Sequence, residues 1–318
     1  MRRLIACTLA CLAVCFACGS AEALDKVRVG KSGVALAWTM IEAGEEAGIW
    51  KELDLAIESA QLSGDAQLQQ ALTAGELDFG LGSGPGMGYR VKGVPAIAIA
   101  AIAGPPYSFM LFTRPDSPIR SVADLKGRNV AVTSAGSLTD WLVRELSRQQ
   151  GWGPQGIVSL PMGALRTKMA ALKAGEIDSV LLTSGSVYEF EEQGQARVLA
   201  SFGDLVHDFH THVLYAPDRL IASNEGLVRR FLQGWLRSVA YMRGHKAEGV
   251  KIAAHTLEIG ESAASKAFDQ DMKMMSEDGA FSRAAIEVIR RSLVELGILD
   301  KIPEASVLYS DRFVPVRD

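Results

Sequence analysis

The sequence contains an internal repeat. Residues 71–78 read Ala-Leu-Thr-Ala-Gly-Glu-Leu-Asp, and residues 171–178, 100 positions later, read Ala-Leu-Lys-Ala-Gly-Glu-Ile-Asp. In each copy a helical pattern ends on a glycine, which suits a left-handed C-terminal cap, and an aspartate then opens a strand. A second match lies upstream, since Gly33 and Gly136 are each followed five residues later by a tryptophan. Two matches in the same order predict two lobes of similar construction.

Short apolar runs alternate with helical patterns along both copies. Such alternation is typical of parallel strands joined by crossover helices, so the sequence predicts an α/β fold. The predicted strands are 26–30, 55–60, 78–81, 129–133, 157–160 and 178–182, and the predicted helices are 36–50, 66–74, 137–150, 166–174, 262–277 and 282–296. Apolar residues from Leu227 to Met242 recur at spacings of three and four, which predicts a further helix with one core-facing side.

Two extended segments interrupt the alternation. Residues 108–113 lie between prolines on both sides, and residues 211–215 are closed by Pro217. Proline favours extended backbone in the residue before it. We therefore expect both segments to connect the two lobes, and the chain after the second segment has a mostly helical pattern.

The composition is that of a globular protein large enough for two cores. The chain has 318 residues, of which 48% are hydrophobic and 22% charged. Its net charge of −4 gives no basic excess to neutralise a phosphate backbone, so nucleic acid is not an expected partner. After residue 24 the longest apolar candidate, 94–103, is far shorter than the roughly 20 residues of a membrane helix.

The N-terminus has the pattern of a secretory signal peptide. A cationic Met1-Arg2-Arg3 precedes an apolar run, and Ala21-Glu22-Ala23 is a small-residue cleavage site. We expect export to the periplasm and a mature chain that starts at Leu24. All four cysteines precede that site, which would exclude disulfides, thiolate metal sites and a cysteine nucleophile. The alternative is a lipoprotein anchored through Cys18.

Strong catalytic signatures are missing from the sequence, including the Gly-x-Ser-x-Gly elbow, His-Glu-x-x-His and the Gly-x-x-x-x-Gly-Lys phosphate loop. Alternating glycines at 80–88 suggest that Ser83-Gly84 exposes backbone amides to a ligand, or else that this loop bends freely. His210 and His212 would share one face of an extended segment and could bind zinc or copper together with His207 or Asp208. The other interpretation, polar positions before a hinge, is the one we adopt, so we expect no metal and no cofactor.

Residues 109–132 and both Ala-Gly-Glu-[Leu/Ile]-Asp elements carry a family resemblance. The defining motifs are Asp116-Ser117-Pro118-Ile119, Asp124-Leu125-Lys126-Gly127 and Gly136-Ser137. With these motifs the chain resembles, over nearly all of residues 25–318, the nitrate/sulfonate/taurine group of solute-binding proteins of bacterial ABC importers. That group also contains binders of thiamine precursors.

The resemblance implies a periplasmic-binding-protein fold of type 2, with two α/β lobes joined by two hinge crossovers and a helical C-terminal part. Lobe one would comprise residues 24–107 and 216–318, lobe two residues 113–210, and the hinges about 108–113 and 211–215. The implied function is capture of a small solute, sulfonate-, nitrate- or carboxylate-like, in the interlobe cleft and delivery to an inner-membrane ABC permease. We expect a monomer.

Ligands of open α/β sheets bind beyond the carboxyl ends of the strands, where loops enter helices. Small hydroxyl residues and glycine dominate these positions, and Trp38 could form an apolar wall, as could Trp141. The candidate ligand-binding residues are Lys31, Ser32, Gly33, Trp38, Gly64, Ser83, Gly84, Ser134, Gly136, Ser137, Thr139, Gly163, Thr183 and Ser184.

The turn at 134–139 is the strongest candidate for binding an anionic group, because it offers hydroxyls and the free amides of a helix start. Ordinary helix capping by Ser137 is the alternative. Asp140 would repel an anion, which would suit a neutral solute or one that carries a donor, and Lys31 is the full charge most suited to offset a carboxylate or sulfonate.

The proposed lining has no obvious acid–base pair, and a signal peptide argues against a cytoplasmic biosynthetic enzyme, so we expect no catalysis. The alternatives are an enzyme of the thiamine-pyrimidine-synthesis type on the same fold and a sensor subunit that presents ligand to a receptor.

Overall fold

The computed structural model describes residues 24–316. The predicted signal peptide, its cleavage site and Cys18 lie outside the described residues. The strands are β1 (Asp25–Lys31), β2 (Leu55–Gln61), β3 (Phe79–Ser83), β4 (Ala96–Ala103), β5 (Phe109–Thr113), β6 (Asn129–Val132), β7 (Val158–Pro161), β8 (Ser179–Thr183), β9 (Arg197–Ser201) and β10 (His212–Pro217).

The helices follow the strands in alternation and then fill the C-terminal part. They are α1 (Met40–Glu46), α2 (Ile49–Glu52), α3 (Asp65–Ala74), α4 (Gly88–Val91), α5 (Leu138–Gln149), α6 (Leu165–Ala174), α7 (Ser184–Glu192), α8 (Asp218–Ser223), α9 (Glu225–Gly244), α10 (Lys246–Leu257), α11 (Glu261–Asp271), α12 (Arg283–Glu295) and α13 (Ala305–Leu308). Short 3₁₀ helices cover Leu36–Thr39, Gly84–Met87, Val122–Leu125 and Phe202–Asp204.

The strands form two five-stranded mixed sheets. The first sheet has the order β2-β1-β3-β10-β4 and the second the order β7-β6-β8-β5-β9. In each sheet the strands from one repeat copy are parallel, as predicted, whereas β10 in the first sheet and β5 in the second run antiparallel to both neighbours. These two antiparallel strands lie in the segments predicted to connect the lobes.

The internal repeat has the same geometry in both copies. Gly75 and Gly175 end α3 and α6 in the left-handed region, with φ values of 78° and 76°. The aspartate that follows each glycine ties two strands together: the Asp78 carboxylate accepts the Arg28 amide, and the Asp178 carboxylate accepts the Asn129 amide, both at 2.9 Å. The repeat therefore encodes a helix stop and a strand start at equivalent positions.

Several predicted elements have different boundaries in the structure. The helix predicted over 36–50 is a 3₁₀ turn followed by α1 and α2, because Gly48 interrupts it at a φ of 71°. The helix predicted over 262–277 ends at Asp271. Strands β4 and β9 and helix α7 were not predicted, whereas the apolar stripe of α9 is buried as expected.

The C-terminal helices contact both sheets' helical layers. Phe231 of α9 stacks on Phe79 of β3 with ring centroids 4.1 Å apart, which anchors this helix on the first sheet. Helix α11 instead reaches α7, where the Ser262 hydroxyl donates to Glu192 at 2.6 Å. The C-terminal part thus bridges the two sheets beside the crossovers.

Candidate functional site

The two sheets meet at the edges formed by the carboxyl ends of their parallel strands. In the first sheet Ser83, at the end of β3, pairs with His212 at the start of β10. In the second sheet Thr183, at the end of β8, pairs with Phe109 at the start of β5. The β4–β5 and β9–β10 crossovers both join these edges, so the edges face each other. The space between them is the candidate site, called the cleft below.

On the first-sheet side, polar groups at the edge bond to Asp65. Its carboxylate accepts the Ser83 amide at 2.9 Å and the Ser83 hydroxyl at 2.5 Å, and Ser32 is a further partner. Burial raises the pKa of Asp65 despite these bonds. The Gly84 amide donates to the Thr211 carbonyl at 3.3 Å. The amides of Ser83 and Gly84, predicted to face a ligand, are therefore used within the protein.

Lys31, predicted to offset an anionic ligand, has a protein partner of its own. Its ammonium lies 2.7 Å from Oε1 of Glu42, and only 12% of its side chain is exposed. An opposite charge at this distance compensates the ammonium. Lys31 therefore brings little net charge to the cleft, while Gly33 and Gly64 beside this edge are half-buried and adopt positive φ.

On the second-sheet side, the turn between β6 and α5 folds back on its own helix. The Ser137 hydroxyl accepts the Asp140 amide at 3.4 Å as N-cap and donates to the Ser134 carbonyl at 2.7 Å. The Thr139 hydroxyl accepts the Thr133 amide at 3.0 Å. These are the capping contacts expected under the alternative interpretation, and a binding role for this turn stays a prediction.

Asp140, expected to repel an anion, is paired. Arg144 donates to its two carboxylate oxygens at 2.9 and 3.0 Å, and the Gly136 amide adds a bond at 2.9 Å. Burial opposes ionisation of Asp140, but these donors outweigh burial and lower its pKa. The carboxylate thus fills the helix start, and the guanidinium offsets its charge.

The remaining predicted residues lie at the ends of β7 and β8. Gly163 is exposed and its amide donates to the Thr133 carbonyl at 2.9 Å. Thr183 is half-buried, and Ser184 is fully buried. The Ser184 amide donates to the Ser108 carbonyl at 2.7 Å, which fixes the start of α7 against the first crossover.

Sequence reasoning missed Asp271, the last residue of α11. It is fully buried, and its Oδ1 accepts the Ser184 hydroxyl at 2.6 Å. Its Oδ2 has no partner within residues 24–316, and the same holds for the hydroxyl of nearby Ser108. Burial raises the pKa of Asp271 to about 7, although the bond from Ser184 works in the other direction. A patterned helix gives no sign that its last residue carries such a group.

Trp38 and His212 form the apolar wall where the second crossover enters β10. Their ring centroids are 4.3 Å apart, and both side chains are buried. Burial lowers the pKa of His212 to about 3, so the imidazole is neutral at physiological pH. Trp141, considered as a second wall, instead stacks on Phe209 at 4.8 Å and donates its indole N–H to Glu295 at 2.8 Å.

The histidines of the second crossover have separate surroundings. Nε2 of His210 accepts the Ser282 amide at 2.9 Å, and burial lowers its pKa to about 4. His207 is exposed. Across residues 24–316 no three His, Cys, Asp or Glu side chains are arranged to hold a metal ion.

Lys168 is a second residue that the sequence did not single out. It lies in α6 on the face that also buries Ala171 and Leu172, and it is 3% exposed. Removal from water lowers its pKa, and no carboxylate attraction works against that effect. Sequence patterns assign this helix face to the core, and only the alignment of the two repeat copies marks a lysine there as unusual.

A separate surface cavity of about 290 Å³ lies between α1 and α10. Its lining residues are Glu42, Glu46, Lys251, Ile252, His255 and Thr256. None of these residues is among the candidate ligand-binding residues at the strand ends.

In the described part of the chain no helix is both long enough and apolar enough to cross a membrane.

Comparison with protein families gives a match over most of the chain. A family model described as NMT1/THI5 like matches residues 37–248. A relative from Escherichia coli (strain K12), described as an aliphatic-sulfonates-binding protein, is 27% identical over 196 residues. That alignment covers 60% of this chain and 59% of the relative, so it spans about three fifths of the relative's length.

Solved structures share the architecture. The periplasmic aliphatic sulphonate binding protein SsuA from Escherichia coli superimposes with a TM-score of 0.75 at 18% identity, covering 90% of this chain and 92% of its own. The desulfurization enzyme DSZB superimposes with a TM-score of 0.64 at 17% identity, covering 91% of this chain and 97% of the DSZB chain. At these identities the likeness concerns the fold, and it confirms the predicted fold class.

Proposed function

The chain belongs to the NMT1/THI5-like family, and we propose that it is a solute-binding receptor of a bacterial ABC importer. The observation that carries this proposal is the pair of polar strand-end edges that face each other across two crossovers. Two sheets joined in this way can close on a small molecule and exclude water from its polar groups. Hydrogen bonds from donors in such a site to a charged solute contribute about 1.5–3 kcal/mol each.

The proposed solute is a small anion of the sulfonate, nitrate or carboxylate class. The name of the Escherichia coli relative supports the sulfonate class. Delivery to an inner-membrane permease and location in the periplasm complete the proposal, together with a monomeric state. The proposed lobes are residues 24–107 with 216–318, and residues 113–210, with hinges at about 108–113 and 211–215.

Binding without turnover is the proposed mode of action. A likeness to DSZB shows that the same architecture also occurs in an enzyme. The titratable group near the strand ends whose pKa lies nearest physiological pH is Asp271, at about 7, but its side chain is fully buried. It is hydrogen bonded to Ser184 rather than to a second titratable side chain. We propose that this pair holds the two sheets' helices together rather than activating a nucleophile.

Calorimetric titration with ethanesulfonate tests the function. We expect saturable binding, and mass spectrometry after denaturation should recover the ethanesulfonate unchanged. If a product appears, the protein is an enzyme and not a receptor. If neither ethanesulfonate nor nitrate nor acetate binds, the solute is not an anion of the proposed class.

Ser137→Ala tests the turn at 134–139. If this hydroxyl meets the solute, affinity should fall by about 1–3 kcal/mol. Because Ser137 also caps α5, the free energy of unfolding should fall by about 1 kcal/mol. Asn224→Ala is the matched control, since Asn224 caps α9 in the same way and lies outside the candidate site. Equal affinities of the two variants would move the solute away from this turn.

A further inference from the structure

Helix α6 contains a buried cation that no described carboxylate neutralises. Lys168 is 3% exposed and has no carboxylate within ion-pair distance among residues 24–316. A desolvated charge without a partner costs stability, so proteins rarely keep one at a purely structural position.

The internal repeat shows what this position holds when it is structural. With the 100-residue offset, Lys168 of α6 corresponds to Leu68 of α3. Leu68 is fully buried and packs on the first sheet. The next positions on the buried face, Ala171 and Leu172, are identical to Ala71 and Leu72 in the other copy. The buried face thus keeps its alanine and leucine in both copies, whereas the leucine at position 68 is replaced by a lysine at position 168 and Gln69 by Met169.

The direction of the lysine follows from helix geometry. Side chains in an α-helix tilt towards the helix N-terminus, and the N-terminus of α6 follows β7 at the cleft edge. In the first sheet the Leu68 methyls already reach Gly82, one residue before the end of β3, since a Cβ at Gly82 would lie 2.9 Å from Leu68 Cδ2. Lysine continues two atoms beyond the leucine methyls. By the same geometry we expect its stem to cover the second sheet and its ammonium to extend towards the edge that holds Gly163 and Thr183.

Four other charged side chains near the strand ends bond to groups of the protein. Lys31 is paired with Glu42, and Asp140 is paired with Arg144. Asp65 accepts bonds from Ser83, and Asp271 accepts one from Ser184. On the second-sheet side Lys168 is a buried cation that no described carboxylate compensates, whereas Arg166 in the first turn of the same helix is exposed.

We propose that Lys168 binds the anionic group of the solute and sets the preference of the cleft for anions. This assignment rests on the proposed function, and it names the residue that supplies the charge. The solute's oxyanion would take the place of the missing counter-ion, while the hydroxyls at the strand ends complete its coordination. Binding would then recover part of the cost of burying the ammonium.

The test compares three variants by calorimetric titration with ethanesulfonate and with uncharged ethyl methyl sulfone, which has a similar shape. Lys168→Met keeps the aliphatic stem and removes the charge. Lys168→Arg keeps the charge. Lys173→Met removes an exposed lysine of the same helix and is the matched control. Nitrate, acetate and inorganic sulfate serve as further probes.

We expect Lys168→Met to raise the Kd for ethanesulfonate by about 30-fold or more, and to reduce the preference over the sulfone by a similar factor. Lys173→Met should bind as the wild type does, and Lys168→Arg should retain much of the affinity. Lys168→Met should melt no lower than the wild type without ligand, because a desolvated charge is removed, and this confirms that the variant is folded.

The outcomes separate the two proposals. Equal ethanesulfonate affinity in Lys168→Met and wild type overturns the role of Lys168 and leaves the receptor intact. Lysine-dependent binding of nitrate, acetate or sulfate, without binding of ethanesulfonate, supports Lys168 and removes the sulfonate class. A wild-type protein that binds none of these anions overturns both.

Discussion

Asp271 is a carboxyl group that the fold keeps completely out of water. It ends α11 and accepts the Ser184 hydroxyl from the start of α7, so this hydrogen bond is one of those that join the C-terminal helices to the second sheet's helices. Burial raises the pKa of Tyr188, one turn further along α7, and nearby carboxyl groups, Asp271 first among them, act in the same direction. The second oxygen of the Asp271 carboxyl has no partner among the described residues, so burial disfavours its ionised form.

Replacement of Asp271 by asparagine should change how stability depends on pH. The ordinary pKa of this group is 3.8, and in the folded protein it is about 7. Between these values the folded state binds more protons than the unfolded chain. The free energy of unfolding of the wild type should therefore fall as pH rises from about 4 to 7, by up to roughly 1.4 kcal/mol per pH unit. Asp271→Asn should lack this loss, so its stability relative to the wild type should increase across that window.

Urea denaturation of both proteins at several pH values between 4 and 8 measures this difference. His210 and His212 act in the opposite sense, because burial lowers their pKa values. Their contribution makes the free energy of unfolding rise as pH rises towards 6.5. Both proteins contain these histidines, so their effect cancels in the comparison. A stability difference that is constant over the whole range would mean that Asp271 titrates normally.

At the scale of single elements, the sequence predicts what depends on local pattern. The helix stop at Gly75 and Gly175 follows from the chemistry of the left-handed cap, and both glycines adopt it. The break at Gly48 was missed because the apolar pattern continues across it. Strand β4 was missed because its alanine-rich run, Ala96–Ala103, has no alternation and is buried on both faces.

The location of the candidate site could be predicted from the sequence, whereas most of the contacts within it could not. Strand ends, turns and small hydroxyl residues can be located from periodicity. Their partners cannot, because Glu42 pairs with Lys31, and Arg144 with Asp140, through geometry that spacing alone does not specify. Lys168 and Asp271 were missed since each occupies a helix position whose pattern indicates only packing.

The packing of the 3₁₀ turn after β3 against the second crossover gives a test at this scale. A Cβ on Gly84 would lie 2.2 Å from the backbone oxygen of His210 and 2.8 Å from Ile289 Cδ1. Gly84→Ala should therefore lower the free energy of unfolding by about 1–3 kcal/mol, the usual cost of overpacking. Gly244→Ala is the control, because a Cβ there meets nothing within 4 Å and alanine favours the helix. If urea denaturation finds the Gly84→Ala protein as stable as the wild type, then the second crossover can shift to accommodate the added methyl group.

At the scale of the whole molecule, the two sheets are joined by more than the two crossovers. The indole of Trp141 and the guanidinium of Arg148 both donate to Glu295 at the end of α12, at 2.8 and 2.9 Å. Ser184 bonds to Asp271 on the other side. These polar contacts lie around the cleft, whereas the strand-end positions Ser134 and Gly163 remain exposed. The edges that would hold a solute are therefore accessible in this conformation.

Solute binding should bring the two sheets closer by bending at the crossovers. A solute held by Lys168 on one side and by the first-sheet edge on the other gains contacts only when both edges approach it, so closure is the state that the solute stabilises. Small-angle X-ray scattering should give a smaller radius of gyration with saturating ethanesulfonate than without. Glu295→Gln weakens one link beside the cleft and should enlarge the radius of the unliganded protein, and saturating ligand should reduce that radius towards the wild-type liganded value. A radius that stays the same with and without saturating ligand in both proteins would mean that the cleft is rigid and binds its solute without closing.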